Sequence, residues 1–347
     1  MILLREAQLR DAESLERLAT VPGFISLSGD RDELALKISR SRSSFGGTIS
    51  DPMDAKYIFV AEDLATGRVV GTSMIAARHG SIESPHFYFE VGQEEKFSNT
   101  INTGFIHGTL KLKYETNGPT ELGGLVLDQE ARNSPERVGR QLSFVRFLYL
   151  GLYRESFKRR ILAELLPPLN IRGQSPLWEA IGRRFTNMDY WEADRLCQQS
   201  KEFIFSLFPS GKIYTTFLTA EARNALGKVG KETEPVLHML QKVGFAYRNQ
   251  VDPFDGGPHL WAHVDELAPV KNVKAFTWKS RPGPGGGRVP EEGLLCPLNR
   301  EKGVFRALAV RAFVEGSDVT LSEADNLNVG RTLGLSDGDP VSFMRYY

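Results

Sequence analysis

Two cysteines in 347 residues, Cys197 and Cys296, are too few for a disulfide framework and lack the paired spacing of a zinc or thiol-redox motif. A reduced compartment is expected. Excess charge of either sign is also missing, since 43 Lys and Arg balance 43 Asp and Glu. No basic field points to nucleic acid, and no acidic tract points to a solvating tail. No apolar run approaches membrane-spanning length, and the opening MILLREAQLRD carries acids where a secretory leader would carry an apolar core. The expected location is the cytoplasm, with neither nucleic acid nor membrane as a partner. No fixed-period repeat and no heptad run is present. Histidine is sparse, at six. His259 and His263 share a face of an alternating stretch, but no third ligand follows nearby, so no metal is expected. What remains is ordinary for a soluble globular protein, 41% hydrophobic and 25% charged, with length for about two domains.

One stretch, Glu121 to Arg146, organises the rest. Leu122 to Leu127 is an apolar run with two glycines, which reads as a buried strand with a bulge. Asp128 to Glu136 reads as a turn-rich loop. Arg137, Gly139 and Arg140 then open an apolar-periodic helix carrying Leu142, Val145, Phe147, Leu148 and Leu152. A helix entered from such a loop presents free N–H groups at its positive end, which suits a phosphate-bearing ligand. An ordinary strand–loop–helix gives the same pattern, because short glycine motifs match by chance.

Before this stretch, Met1–Arg5 reads as a strand, 9–19 and Asp32–Arg42 as helices, and Tyr57–Glu62 with Arg68–Ala76 as a hairpin. Phe87–Val91 is a further strand, and another begins near Leu110. After it come a strand over Arg160–Leu166, a helix from Ser175-Pro176, a polar and mostly helical insertion over 189–235, and a strand after Gly244. An Asp-Gly-Gly turn then leads into an alternating strand near residue 258. RPGPGGGRVPEEG makes 274–303 a linker or exposed loop by composition. Residues 304–347 read as a small β-rich module.

This order resembles the acyl-coenzyme A N-acyltransferase (GNAT) fold. The segments ELGGLVLDQEAR (121–132), SPLWEAIGRRFTNMDYWEADRLC (175–197), KIYTTFL (212–218) and GFAYRNQVDPFDGGP (244–258) resemble the arginine N-succinyltransferase family. The likeness runs from Met1 to about Val273 and continues weakly through the C-terminal module. It implies an α+β, GNAT-like fold with a mixed, mostly antiparallel sheet over 1–273, plus the module. It also implies transfer of succinyl from succinyl-CoA to the α-amino group of L-arginine, with the acyl-CoA as co-substrate and no permanently bound cofactor. By this likeness Leu125, Val126 and Leu127 offer backbone groups to the pantetheine arm. Arg137, Val138, Gly139 and Arg140 receive the pyrophosphate, and Arg160–Leu166 splays away to open the substrate wedge.

Two departures stand out. The family's proton donor is a His at the position of Gly230, and the phosphate loop is about two residues longer, with Arg140 where the last Gly belongs. Weak substitutes for the donor are Tyr214, Tyr247 and His238. Arg137 or Arg140 is expected to supply charge where Gly supplied backbone approach. Glu121 and Asp255 are candidate acids for the arginine guanidinium, and Ser26 and Arg31 candidates for its carboxylate. Cys197 reads as packing rather than nucleophile. The departures leave open an acyltransferase for another amino acid or polyamine, or a non-catalytic acyl-CoA-binding homologue. Aromatic density over 185–217 suggests a homo-oligomer.

Overall fold

The computed structural model describes all residues except 22–26, 28, 133, 198–199, 284–288 and 299–303. Its strands are β1 (Ile2–Glu6), β2 (Lys56–Asp63), β3 (Arg68–Ala76), β4 (His86–Ser98), β5 (Thr103–Glu115), β6 (Thr120–Leu127), β7 (Arg160–Glu164) and β8 (Lys212–Tyr214). They continue with β9 (Ala246–Val251), β10 (Pro258–His263), β11 (Val273–Trp278), β12 (Glu291–Pro297), β13 (Arg306–Glu315), β14 (Asp318–Leu321) and β15 (Pro340–Arg345). The chain divides into two units, and the division falls inside β6, after Glu121. No helix among the described residues is long and apolar enough to cross a membrane.

The first unit joins Met1–Ala77, Leu122–Arg159 and His263–Tyr347. Its strands run β13-β1-β2-β3-β6, and β1, β2 and β3 pair antiparallel. Leu15, Leu18, Leu34 and Ile38, from helices Ala12–Ala19 and Arg31–Phe45, are buried with Ile58, Val60 and Val126 of the sheet. The helix Val138–Leu152 buries eleven of its residues, so it is a core helix and not an amphipathic surface one. β11 to β15 close a small barrel in the order β12-β15-β11-β14-β13, with β12 pairing back onto β13. Within this barrel the β11–β14 pair is parallel, and the other pairs among the described residues are antiparallel. Trp278, Leu295, Leu308, Leu321 and Phe343 fill it. The sheet is thus mixed and mostly antiparallel, as the GNAT likeness implies.

Two expectations change here. Residues 274–303 contain β11 and β12, so they are not a linker throughout. The Pro- and Gly-rich composition belongs to the connection between two strands, and residues 284–288 within it lie outside the described residues. Second, Asp128–Glu136 is not only loop, because Gln129–Arg132 makes one helical turn.

The second unit joins Arg78–Glu121 and Arg160–Ala262. Its strand order is β7-β10-β9-β4-β5-β8, and β7 pairs in parallel with the start of β6 through Thr120–Ile161 and Glu121–Leu162. β4 and β5 form a thirteen-pair antiparallel hairpin, far longer than Phe87–Val91 suggested. Its outer half mixes charged residues with the exposed Phe97, Phe105 and Ile106, which gives no regular apolar alternation to read. The insertion over 189–235 is less polar than its composition: Tyr190, Ala193, Phe203, Ile204, Phe208 and Ala222 pack with Trp178 and Phe254. It also holds one strand, β8.

Candidate active site

In the first unit the candidate cofactor elements are β6 and the helix after it. Gly124 takes φ +61° inside the strand, the mark of a bulge, and a Cβ there would meet Met74 Sδ at 2.8 Å. Both conformation and space require glycine. Burial alternates along β6, so Val126 enters the core while Leu125 and Leu127 lie on the half-exposed face; the strand is not buried throughout. Arg146, 2% exposed, donates from Nη1 to the Gly123 carbonyl at 3.3 Å. Burial pulls its guanidinium down to about 10. The sequence placed Arg146 at the end of the key stretch but gave it no role. Its neighbours Val145 and Phe147, both buried, are the signal that could have found it.

Arg137 precedes the helix with φ +53° and ψ +50°, and its side chain is exposed. The helix leaves the Val138 and Gly139 N–H groups without intrahelical acceptors. A Cβ on Gly139 would lie 3.0 Å from Leu127 Cδ1, so this turn sits close to the end of β6. Arg140, the other candidate phosphate cation, is half-buried. Its guanidinium stacks 4.1 Å from the Tyr346 ring centroid and lies 3.6 Å from Glu292. Arg137 and Arg140, with Met1, Glu136, Gln141 and Tyr346, line a cavity of about 330 Å³. Arg31 is exposed and 3.9 Å from Glu16, and Ser26 lies outside the described residues.

The second unit gathers ionisable groups around Glu164, the last residue of β7. His79 Nδ1 is 2.6 Å from Glu121 Oε2. The turn after β9 brings in Asp252 and Asp255. Asp252 accepts from the Phe254 and Asp255 N–H groups, and Asp255 accepts from Gly257 N–H at 2.7 Å. Burial, then the charges of Glu121 and Asp252, push the Glu164 carboxyl well above the usual carboxylate range. Burial and Asp252 push Asp255 up likewise. Asp194 rises to about 7 through burial and Asp252. The charge of Lys201 offsets part of this for Glu164 and Asp252, and the surplus of acids would hold a further cation well. Glu121 and Asp255 therefore fall in one neighbourhood, with Glu164, Asp252 and Asp194, which sequence reasoning did not name. Their signals are dispersed over four segments, and only the fold collects them.

Tyr214 donates to Glu94 Oε2 at 3.0 Å, Tyr247 packs its hydroxyl against Gly227, and His238 is exposed on the helix Glu234–Val243. Gly230 donates its N–H to the Leu166 carbonyl, just beyond β7, at 3.0 Å. Burial raises Cys197 to about 12, which keeps it a thiol. His263 is exposed while His259 is buried.

A bulged strand running into a core helix with an open first turn, on a mixed sheet, defines the acyl-coenzyme A N-acyltransferase fold of the GNAT type. The family model described as arginine N-succinyltransferase beta subunit matches residues 2–269, and the chain belongs to that family. Arginine N-succinyltransferase of Citrobacter koseri is 33% identical over 93% of both chains. The Enterobacter sp. (strain 638) protein of that name is 33% identical over 99% of this chain and 98% of its own. The structure of arginine/ornithine succinyltransferase subunit AI from Pseudomonas aeruginosa is 26% identical. It superposes with a TM-score of 0.83 and covers 99% of this chain and 98% of that one. Membership makes the protein an acyltransferase with an acyl-CoA co-substrate.

Proposed function

We propose that this chain transfers the succinyl group of succinyl-CoA to the α-amino group of L-arginine. The observation that carries the reading is the cluster of carboxylates in which Asp255 is buried and Asp252 half-buried, in a chain whose relatives of that name match it nearly end to end. A guanidinium supplies the missing charge and donors for two carboxylates. The CoA arm lies along Leu125–Leu127, with its pyrophosphate at the first turn of the helix Val138–Leu152 and Arg137 as the exposed cation beside it. The neutral amine attacks the thioester carbonyl, an N–H of the bulged strand near Leu125 polarises that carbonyl, the C–S bond breaks, and the amine sheds a proton. The CoA thiolate takes its proton from water, because Gly230 has no side chain to give one. A cytoplasmic site of action goes with a CoA thioester and two free thiols. Self-association through exposed Phe185, Trp191, Phe205 and Phe217 goes with the oligomer expected from the sequence; a monomeric mass in light scattering would contradict it.

The test is thiol release from succinyl-CoA with and without arginine, with acetyl-CoA and ornithine as controls. Arginine-dependent release that favours succinyl supports the reading. Release with another amine only moves the acceptor, and saturable thioester binding without release to any amine makes the chain a non-catalytic homologue.

A further inference from the structure

Three imidazoles converge on one carboxylate oxygen in the second unit. Glu164 Oε1 lies 3.4 Å from His259 Nε2, 3.6 Å from His86 Nδ1 and 3.8 Å from His79 Nε2. These separations are longer than good hydrogen bonds. His86 and His259 are 1% and 0% exposed, and His86 Nε2 and both ring nitrogens of His259 have no hydrogen-bond partner. Buried polar atoms are rarely left so. Burial and the neighbouring imidazoles pull His86 well below the usual histidine range, and burial pulls His259 down to about 3.

The spacing itself has a natural cause. Ligand atoms at tetrahedral corners, each about 2.0–2.1 Å from a zinc-type ion, are separated by about 3.3–3.4 Å. The three nitrogens stand at or slightly beyond that distance from the oxygen. His79 turns its other nitrogen, Nδ1, to Glu121 at 2.6 Å, the carboxylate–histidine arrangement that fixes a metal-ligating ring. Two three-residue sets share Glu164, namely His79–His86–Glu164 and Glu164–Asp252–His259. The first has the oriented ring and two imidazoles.

We propose that His79, His86 and Glu164 bind one divalent transition-metal ion of the zinc type, with Glu121 orienting His79 and His259 facing the same carboxylate. Mixed imidazole and carboxylate donors select Zn2+, Co2+ or Ni2+ over Mg2+ or Ca2+. Asp252 and Asp255 stay available to the acyl acceptor. The site goes beyond the acyl-transfer reading, and metal binding is measured without turnover, so the two fail separately.

The test is calorimetric titration of the full-length, chelator-stripped protein with Zn2+ and, in parallel, Mg2+, followed by thermal melts. One saturable equivalent of Zn2+, a raised Tm and no response to Mg2+ support the site. His79→Gln, His86→Gln and Glu164→Gln each weaken Zn2+ binding by more than about 100-fold, Glu121→Gln by about 10–100-fold, and His107→Gln, on β5 and half-buried, leaves it unchanged. Co2+ loading of the wild type adds a spectroscopic readout of imidazole ligation that needs no variant to fold. Failure of the wild type to bind Zn2+ overturns the proposal. So does binding that survives in the His79→Gln/His86→Gln double variant, or that is lost only with His259 and Asp252.

Discussion

Asp194, Asp252, Asp255 and Glu164 are acids whose folded state favours the proton. For a carboxyl raised in the fold, the stabilising contribution is complete below its unfolded value and fades as pH rises through the folded one. For Asp194 that window opens near the ordinary 3.8 and closes at about 7. His86 and His259 act oppositely: held neutral, they cost stability as pH falls below the ordinary 6.5. Asp194→Asn should therefore flatten the fall in Tm between about pH 4 and 7, which melts across that range check. Asp255→Asn should raise KM for arginine at least tenfold, an expected loss of about 1.4 kcal/mol or more, and leave KM for succinyl-CoA nearly unchanged in steady-state kinetics. Arg5 makes a different residue-scale case. Its guanidinium lies 2.6 Å from Asp11 and 2.5 Å from Glu62, all three largely buried. Arg5→Ala strands two acids and should cost about 3–5 kcal/mol in denaturant unfolding.

At the scale of the element, the bulged strand depends on Gly124 and on Arg146 beneath it. Gly124→Ala must place a methyl against Met74 in a left-handed backbone, and should cost about 1–3 kcal/mol while weakening acyl-CoA binding in calorimetry. Arg146→Met removes a buried cation, so Tm should hold or rise while KM for succinyl-CoA increases as the Gly123 carbonyl loses its donor. β6 and its helix were legible because two signals coincide there: a glycine-broken apolar run and a core helix with 3.6-residue periodicity. The length of the β4–β5 hairpin was not legible, since Gln93, Glu94, Glu95 and Lys96 carry no alternation. β11 and β12 were obscured by the Pro- and Gly-rich turn between them. The acids around Glu164 were half legible. Glu121 and Asp255 stood out by motif, whereas His79, His86 and His259 are single histidines with nothing local to connect them.

At the scale of the whole molecule, each unit has its own core, and the first is completed from the far end of the chain. β13 pairs with β1 through Leu308–Leu3, Ala307–Leu4 and Arg306–Arg5, and it also forms one wall of the closed barrel. A chain ended after Lys271 would expose one edge of β1 and leave Leu3 without the barrel core. It should be recovered as aggregate, against soluble full-length protein in size-exclusion chromatography. The family likeness was legible over most of the chain, while barrel closure was not, because a single sequence does not say which strand meets β1. The same pairing sets a timetable for synthesis. β1 leaves the ribosome roughly 300 residues ahead of its partner β13. At about 5–20 residues per second the first strand waits roughly 15–60 s with one edge open. The nascent chain is therefore open to misassembly at β1 until β13 emerges, and a chaperone that shields β1 would act throughout that interval.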